Sequence, residues 1–185
     1  MVTTEVISKL PAVLKPISDE QDGNAAVSLL LKPRQNDFDL LLVKRVENPS
    51  DTWSGQMALP GGKRELKDLS LKDTAVRETL EETGVALTNC SFLGVLDAVQ
   101  SEPRADFKIL PFVVLLEKAP LLKLNKTELE TFVWVPYEKV VQSKSKVQFS
   151  FGKVPAYTFT EGVVWGITYN IITEFIQAVE ATQNI

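Results

Sequence analysis

Apolar runs separated by short polar breaks fill most of the chain, and the period of each run predicts an element. Ala25–Leu31 is an apolar run closed by Lys32-Pro33 and reads as a buried strand. Phe38–Val46 reads as a second strand, with Arg34–Asp37 as the hairpin turn between the two. Glu47–Gly55 is a polar loop, and Gln56–Leu59 is a short strand that runs into Pro60-Gly61-Gly62. Leu71–Thr83 reads as a helix. Ser70 is its N-cap, Asp73 completes an acidic variant of the capping box, and Gly84 supplies the stop. Phe92–Val99 and Phe107–Leu116 read as strands around a loop, Gln100–Asp106. Glu130–Val135 is a further strand leading into Pro136 at the start of a short helix, and Val147–Phe151 and Ala156–Phe159 also read as strands. Val163–Val179 reads as an amphipathic helix with Val164, Ile167, Ile171, Ile172, Phe175, Ile176 and Val179 on its apolar side. Residues 1–22 read as an N-terminal arm with at most one short element, and residues 23–185 as a single domain. Many strands with few helices predict an α/β (α+β) chain, an α/β/α sandwich around a mixed sheet.

Composition narrows the chemistry. The 185 residues are 44% hydrophobic and 24% charged, which suits one globular domain with a substantial core. A formal net charge of −4 provides no general positive field, so neither nucleic acid nor an anionic membrane is an expected partner. An anionic small molecule would have to be held by local arginines, lysines or bound cations. Cys90 is the single cysteine, so no intrachain disulfide can form, and a reducing, cytoplasmic setting is expected. The first residues lack the pattern of a secretory signal, and no 18-residue apolar window predicts a membrane helix. The chain contains no histidine. Serine–histidine and cysteine–histidine catalysis and histidine-ligated zinc are thereby excluded. General base chemistry falls to carboxylates, lysine, tyrosine or metal-activated water.

Glu78, Glu81 and Glu82 carry the strongest signal. They stand at i, i+3 and i+4 of the expected helix and so share one face. Like charges at that spacing repel by roughly a few tenths of a kcal/mol per pair. Hard oxygen donors in a cluster suit Mg²⁺ or Mn²⁺, and a divalent cation would relieve the repulsion. Arg77 precedes Glu81 by four residues and can brace it. An acidic pair alone is more often a solvated helix face, but the surrounding residues alter that reading.

The stretch from Gly61-Gly62-Lys63 to Gly84-Val85 resembles the Nudix box, G-x5-E-x7-R-E-U-x-E-E-x-G-U, where U is bulky and apolar. Arg77, Glu78, Glu81, Glu82, Gly84 and Val85 match the second half in spacing, and Thr79 replaces the first U. Counted back from Arg77, the glycine position falls on Lys63 and the first glutamate position on Leu69. One extra residue between Gly62 and Arg77 accounts for both, with Glu65 or Asp68 standing in for that glutamate. The resemblance implies a Nudix-type α/β/α sandwich with a mixed sheet and a metal-dependent hydrolase, with Mg²⁺ or Mn²⁺ as cofactor. It implies Glu78 and Glu82 as ligands, Glu81 as ligand or base, Arg77 orienting a glutamate, and Gly61 offering a backbone carbonyl. Family members often add a carboxylate before a late strand, and Glu128 or Glu130 in Lys126–Glu130 is placed for that, with Glu128 taken as the catalytic candidate.

Gly55-Gln56-Met57-Ala58-Leu59-Pro60-Gly61-Gly62, the longer spacer, and Trp165-Gly166-Ile167-Thr168 resemble the coenzyme A diphosphatases within the family. That subgroup's upstream histidine-containing element is missing, and Asp51-Thr52-Trp53 occupies the region. Arg45, Lys63 and Arg104 are candidate phosphate contacts. Trp53, Phe107 and Tyr157 could stack on a base, with Phe107 favoured as core. The expected substrate is a nucleoside diphosphate derivative, coenzyme A first, with ADP-ribose, ADP-sugars or nucleoside triphosphates as alternatives. A homodimer is possible. Rival readings are a catalytically silent nucleotide-binding module and an interaction protein with an incidental acidic helix.

Overall fold

The computed structural model describes residues 4–35, 37–48, 54–101 and 104–185. Strands β1 (Ala25–Pro33) and β2 (Phe38–Arg45) occupy the middle of the main sheet because both of their faces are apolar. Ala26, Leu30, Leu41 and Val43 face one side; Leu29, Leu31, Leu40 and Leu42 face the other. β1 and β2 pair only near the hairpin, Leu31 to Pro33 against Phe38 to Leu40. Beyond that they separate, and the gap is filled by β3 (Met57–Ala58), antiparallel to β2, and β4 (Gly61–Lys63), antiparallel to β1. This split in the sheet brings Gly61, Gly62 and Arg45 to one place.

The helix after the glycines is α2 (Leu71–Thr83), as the capping signals require. Asp73 N–H donates to Ser70 Oγ at 3.2 Å, and Ser70 N–H donates to Asp73 Oδ2 at 2.8 Å. Gly84 closes the helix at φ +74°, a left-handed conformation that favours glycine. Thr79, where the family pattern has a bulky apolar residue, is fully buried, and its Oγ1 donates to Ser28 Oγ on β1 at 2.8 Å. A hydroxyl on the facing strand therefore satisfies the polar replacement.

The remaining strands correct several boundaries. The single strand expected over Phe92–Val99 is two, β5 (Ser91–Val95) and β6 (Val99–Ser101). Both pair antiparallel along one edge of β7 (Arg104–Leu115), which occupies part of the expected loop Gln100–Asp106. β7 runs parallel to β1, so the sheet is mixed. β8 (Leu129–Pro136) covers the outer edge of β2 and leads into α3 (Tyr137–Gln142). β9 (Lys144–Phe149) and β10 (Gly152–Thr158) form a hairpin that is longer than its two expected strands. The expected helix from Val163 is a strand first: β11 (Val163–Trp165) pairs with β10, and α4 (Gly166–Ala181) begins at a glycine with φ +62°. Among the described residues, eight strands form the main sheet and three the smaller one.

α2 lies on one face of the main sheet, while α4 and α1 (Thr4–Val13) lie on the other. Val6, Ile7 and Leu10 of α1 are buried in the same cluster as Ile171, Ile172 and Phe175 of α4. The segment read as an arm thus holds a helix that contributes to the core. No described helix is long and apolar enough to cross a membrane.

Candidate active site

Strand β4 and the carboxylate-bearing face of α2 build the site. Glu78 lies so close to Gly62 that a Cβ there would stand 2.5 Å from the Glu78 carboxyl carbon, which is why glycine occupies position 62. Gly61 N–H donates to Glu82 Oε2 at 2.9 Å. Glu82 is 3% exposed, and its other oxygen, Oε1, lies 3.9 Å from Arg45 Nη1. The three glutamates share a helix face, as their spacing predicts, but their surroundings differ: Glu82 is buried, Glu78 partly buried and Glu81 about half exposed.

Arg77 organises this face. Its Nη1 bonds Glu78 Oε1 at 2.7 Å and Glu81 Oε2 at 3.1 Å, and its Nη2 donates to the Lys63 carbonyl at 2.9 Å. Its Nε and Nη2 also form a fork on Asp68, at 2.9 and 2.8 Å. Asp68 is buried and additionally accepts from Glu65 N–H and Thr74 Oγ1. Glu65, the alternative stand-in for the missing box glutamate, is half exposed and 3.7 Å from Arg77. Asp68 is therefore the main carboxylate partner of Arg77 in the loop. The Arg77 guanidinium holds the Asp68 carboxyl well below the usual carboxylate range, against the opposing effect of burial.

Glu128 sits in the loop before β8 and is exposed. Asn125 places it. Asn125 N–H donates to the Glu82 carbonyl at 2.8 Å, and Asn125 Nδ2 donates to Glu128 Oε1 at 3.0 Å. Asn125 is a site residue that sequence reasoning did not single out, although an Asn three residues before the candidate carboxylate is a turn signal. Glu130 has turned away, bonding Lys44 at 2.9 Å. The strand begins only at Leu129, so Glu128 and Glu130 do not act together.

Burial pushes the Glu82 carboxyl up to about 7; Glu78 and Glu128 add to the rise as like charges, while Gly61 N–H and Arg45 oppose it. Burial also raises Glu78, opposed by Arg77. Among the described residues, no three carboxylates already converge into a coordination shell. Arg77 draws two of them to itself. The donor set nevertheless fits a hard divalent cation, because buried carboxylate oxygens with like-charged neighbours gain from a cation more than from water.

Stability without metal should depend on pH accordingly. From the ordinary 4.5 up to about 7, the folded chain keeps a proton on Glu82 that the unfolded chain has released. The resulting stabilisation, on the order of 3 kcal/mol, is complete below the unfolded value and is lost as pH rises through about 7. The melting temperature in a chelator should be higher at pH 5 than at pH 8, and Glu82→Gln should narrow the difference. An unchanged difference would show that Glu82 is not responsible.

A cleft of about 230 Å³ opens beside these carboxylates, walled by Arg45, Gln56, Gly61, Gly62, Lys63, Phe107, Trp165, Ile167 and Thr168. Two of the expected phosphate contacts, Arg45 and Lys63, share this wall. The Arg104 side chain and Trp53 lie outside the described residues. Tyr157 is fully buried and its hydroxyl bonds Thr173, so it is core rather than a stacking residue. Phe107, favoured as core, instead lines the cleft. The Trp165–Thr168 segment and Gln56 reach the same cleft from widely separated parts of the sequence.

The NUDIX domain family model matches residues 23–156. The chain is 35% identical over 128 residues to an uncharacterized protein of Schizosaccharomyces pombe, covering 65% of this chain but 39% of that protein. It is 29% identical over 180 residues to NudL of Photorhabdus laumondii, an uncharacterized Nudix hydrolase, covering 93% of this chain and 92% of that one. Against the human mitochondrial coenzyme A diphosphatase NUDT8 it is 29% identical over 147 residues, covering 74% of this chain and 60% of that one. The crystal structure of a Nudix hydrolase from M. smegmatis, RenU, superposes with a TM-score of 0.61 at 18% identity, covering 86% of each chain, and supports the fold.

Proposed function

Because this chain belongs to the Nudix family and is a hydrolase, we propose that it cleaves the diphosphate linkage of a nucleoside diphosphate derivative, with Mg²⁺ or Mn²⁺, and that coenzyme A is a substrate. The observation that carries the reading is the buried Glu82 carboxyl beside Glu78 and Glu128, next to a cleft that also presents Arg45 and Lys63. Glu78 and Glu82 would hold the cation, with Glu81 and the Gly61 carbonyl assisting. Bound there, a divalent cation supplies charge neutralisation to the diphosphate oxygens and makes water a competent nucleophile at neutral pH. Arg77 is a positioning residue that fixes Glu78 and Glu81. Glu128, or Glu81, receives the proton that the attacking water loses. Arg45 and Lys63, with Arg104, hold the phosphates. Water adds to one phosphorus, the bridging P–O bond breaks, and two phosphate-bearing fragments leave.

Coenzyme A is favoured because Gln56 to Gly62 and Trp165 to Thr168, the two segments that resemble coenzyme A diphosphatases, wall one cleft. The test is a comparison of kcat/KM for coenzyme A, ADP-ribose, diadenosine polyphosphates, NADH and nucleoside triphosphates. Coenzyme A should give 4′-phosphopantetheine and adenosine 3′,5′-bisphosphate by mass spectrometry. A value for another substrate more than about tenfold higher, roughly 1.4 kcal/mol in transition-state binding, would reject coenzyme A and keep the diphosphate chemistry. Nucleotide binding with no turnover of any of them would favour the silent-module reading.

A further inference from the structure

The β9–β10 hairpin carries rings that neither the core nor the reaction accounts for. Phe151, at the turn, is 65% exposed. It stacks on Phe149 with centroids 5.3 Å apart and planes 4° from parallel. Trp165, from β11, leans against both at 5.6 and 4.9 Å. Trp165 also lines the cleft that contains Gly61, Gly62, Arg45 and Lys63.

We infer that Phe149, Phe151 and Trp165 form an aromatic shelf at the cleft that stacks the nucleobase of the substrate. The inference rests on the reading that the substrate is a nucleotide derivative. Rings that served only to hold the hairpin together would gain most by being covered from water. Phe151 instead leaves most of its surface in water, and a flat partner is what extends an offset stack. An aliphatic arm would gain contact there but no preference for parallel planes. The other ring in the cleft wall, Phe107, has the Lys63 ammonium 5.9 Å from its centroid, which places a cation rather than an open face on that side. Arg45, Lys63 and Trp165 share one cleft, and Trp165 joins it to Phe149 and Phe151, so the base would lie toward the hairpin and the diphosphate toward Arg45 and Lys63.

The test reads binding without turnover. The whole chain is titrated with AMP and with ribose 5-phosphate by calorimetry, in chelator, and Trp165 makes intrinsic fluorescence a second readout. AMP should bind at least about tenfold more tightly than ribose 5-phosphate, the scale expected for one base on an aromatic platform. Phe151→Ala and Phe151→Leu should both erase that ratio, and Phe151→Trp should keep it. Leucine preserves apolar bulk without a ring, so it decides the matter if alanine alters the melting curve. A wild-type chain with no AMP preference, or a leucine variant that retains the preference, would overturn the shelf. A chain that shows the ratio but hydrolyses no diphosphate keeps the shelf and loses the proposed reaction. Turnover with an indifferent Phe151→Leu loses the shelf alone.

Discussion

Glu82→Gln should lower kcat by at least about two orders of magnitude, the scale expected when a charge-stabilising metal contact is lost. The amide has nearly the volume of the carboxyl and can still accept from Gly61 N–H, so the 2.9 Å contact that ties α2 to β4 survives. What disappears is the negative charge, in the most buried of the three helix carboxylates. Stability should move the other way. At pH 8 in chelator the variant should melt no lower than wild type, because a carboxyl raised to about 7 is held ionised there at a cost. Loss of activity with intact folding separates a role in chemistry from a role in packing. Near-normal turnover at saturating Mg²⁺ would remove Glu82 from the site.

The contrast between Glu82 and its neighbours illustrates what could be read before the fold was in view. The bounds of α2 are local properties: Ser70, Asp73 and Gly84 act within a few residues, so sequence and structure coincide at Leu71 and Thr83. β1 and β2 were legible because burial on both faces leaves a near-continuous apolar run, interrupted only by Ser28 and Asp39 before the polar strand ends. The start of α4 was not, because Val164 continues the apolar spacing of Ile167 and Ile171 although it belongs to a strand. Only pairing with β10 distinguishes the two. The site behaves likewise. That Glu78, Glu81 and Glu82 share a face follows from helix geometry, while the burial of Glu82 depends on β4 and Arg45, which arrive from elsewhere. Glu128 and Glu130 are both placed by sequence for the late carboxylate, with Glu128 preferred, and the point at which β8 begins separates them. Tyr157 looked like a possible base contact because nothing local distinguishes a core tyrosine from a cleft tyrosine. The choice between Glu65 and Asp68 depended on the path of a loop with no periodic signal.

That last choice leads to the largest expected effect on stability. Asp68→Ala should destabilise the chain by about 3–5 kcal/mol, the range for removing one partner of a buried ion pair. Asp68 and Arg77 side chains are 3% and 12% exposed, and the guanidinium fork loses both of its bonds at once. For a chain of this size the melting temperature should drop by roughly 6–20 °C. Glu65→Gln is the control. Glu65 is 54% exposed and 3.7 Å from Arg77, a surface pair, so its loss should cost about 1 kcal/mol or less. Asp68→Asn keeps the size and an acceptor for Thr74 Oγ1 or Glu65 N–H but loses the charge, and should fall between the two. That variant also tests function. If Asp68 fixes Arg77, and Arg77 fixes Glu78 and Glu81, then Asp68→Asn should lower kcat at temperatures where it is still folded and leave KM nearly unchanged. A rise in KM alone would move Arg77 from positioning the carboxylates to binding substrate. Equal melting losses for Asp68→Ala and Glu65→Gln would mean that the buried fork is no stronger than the exposed contact, and that the loop carboxylate does not organise the helix face.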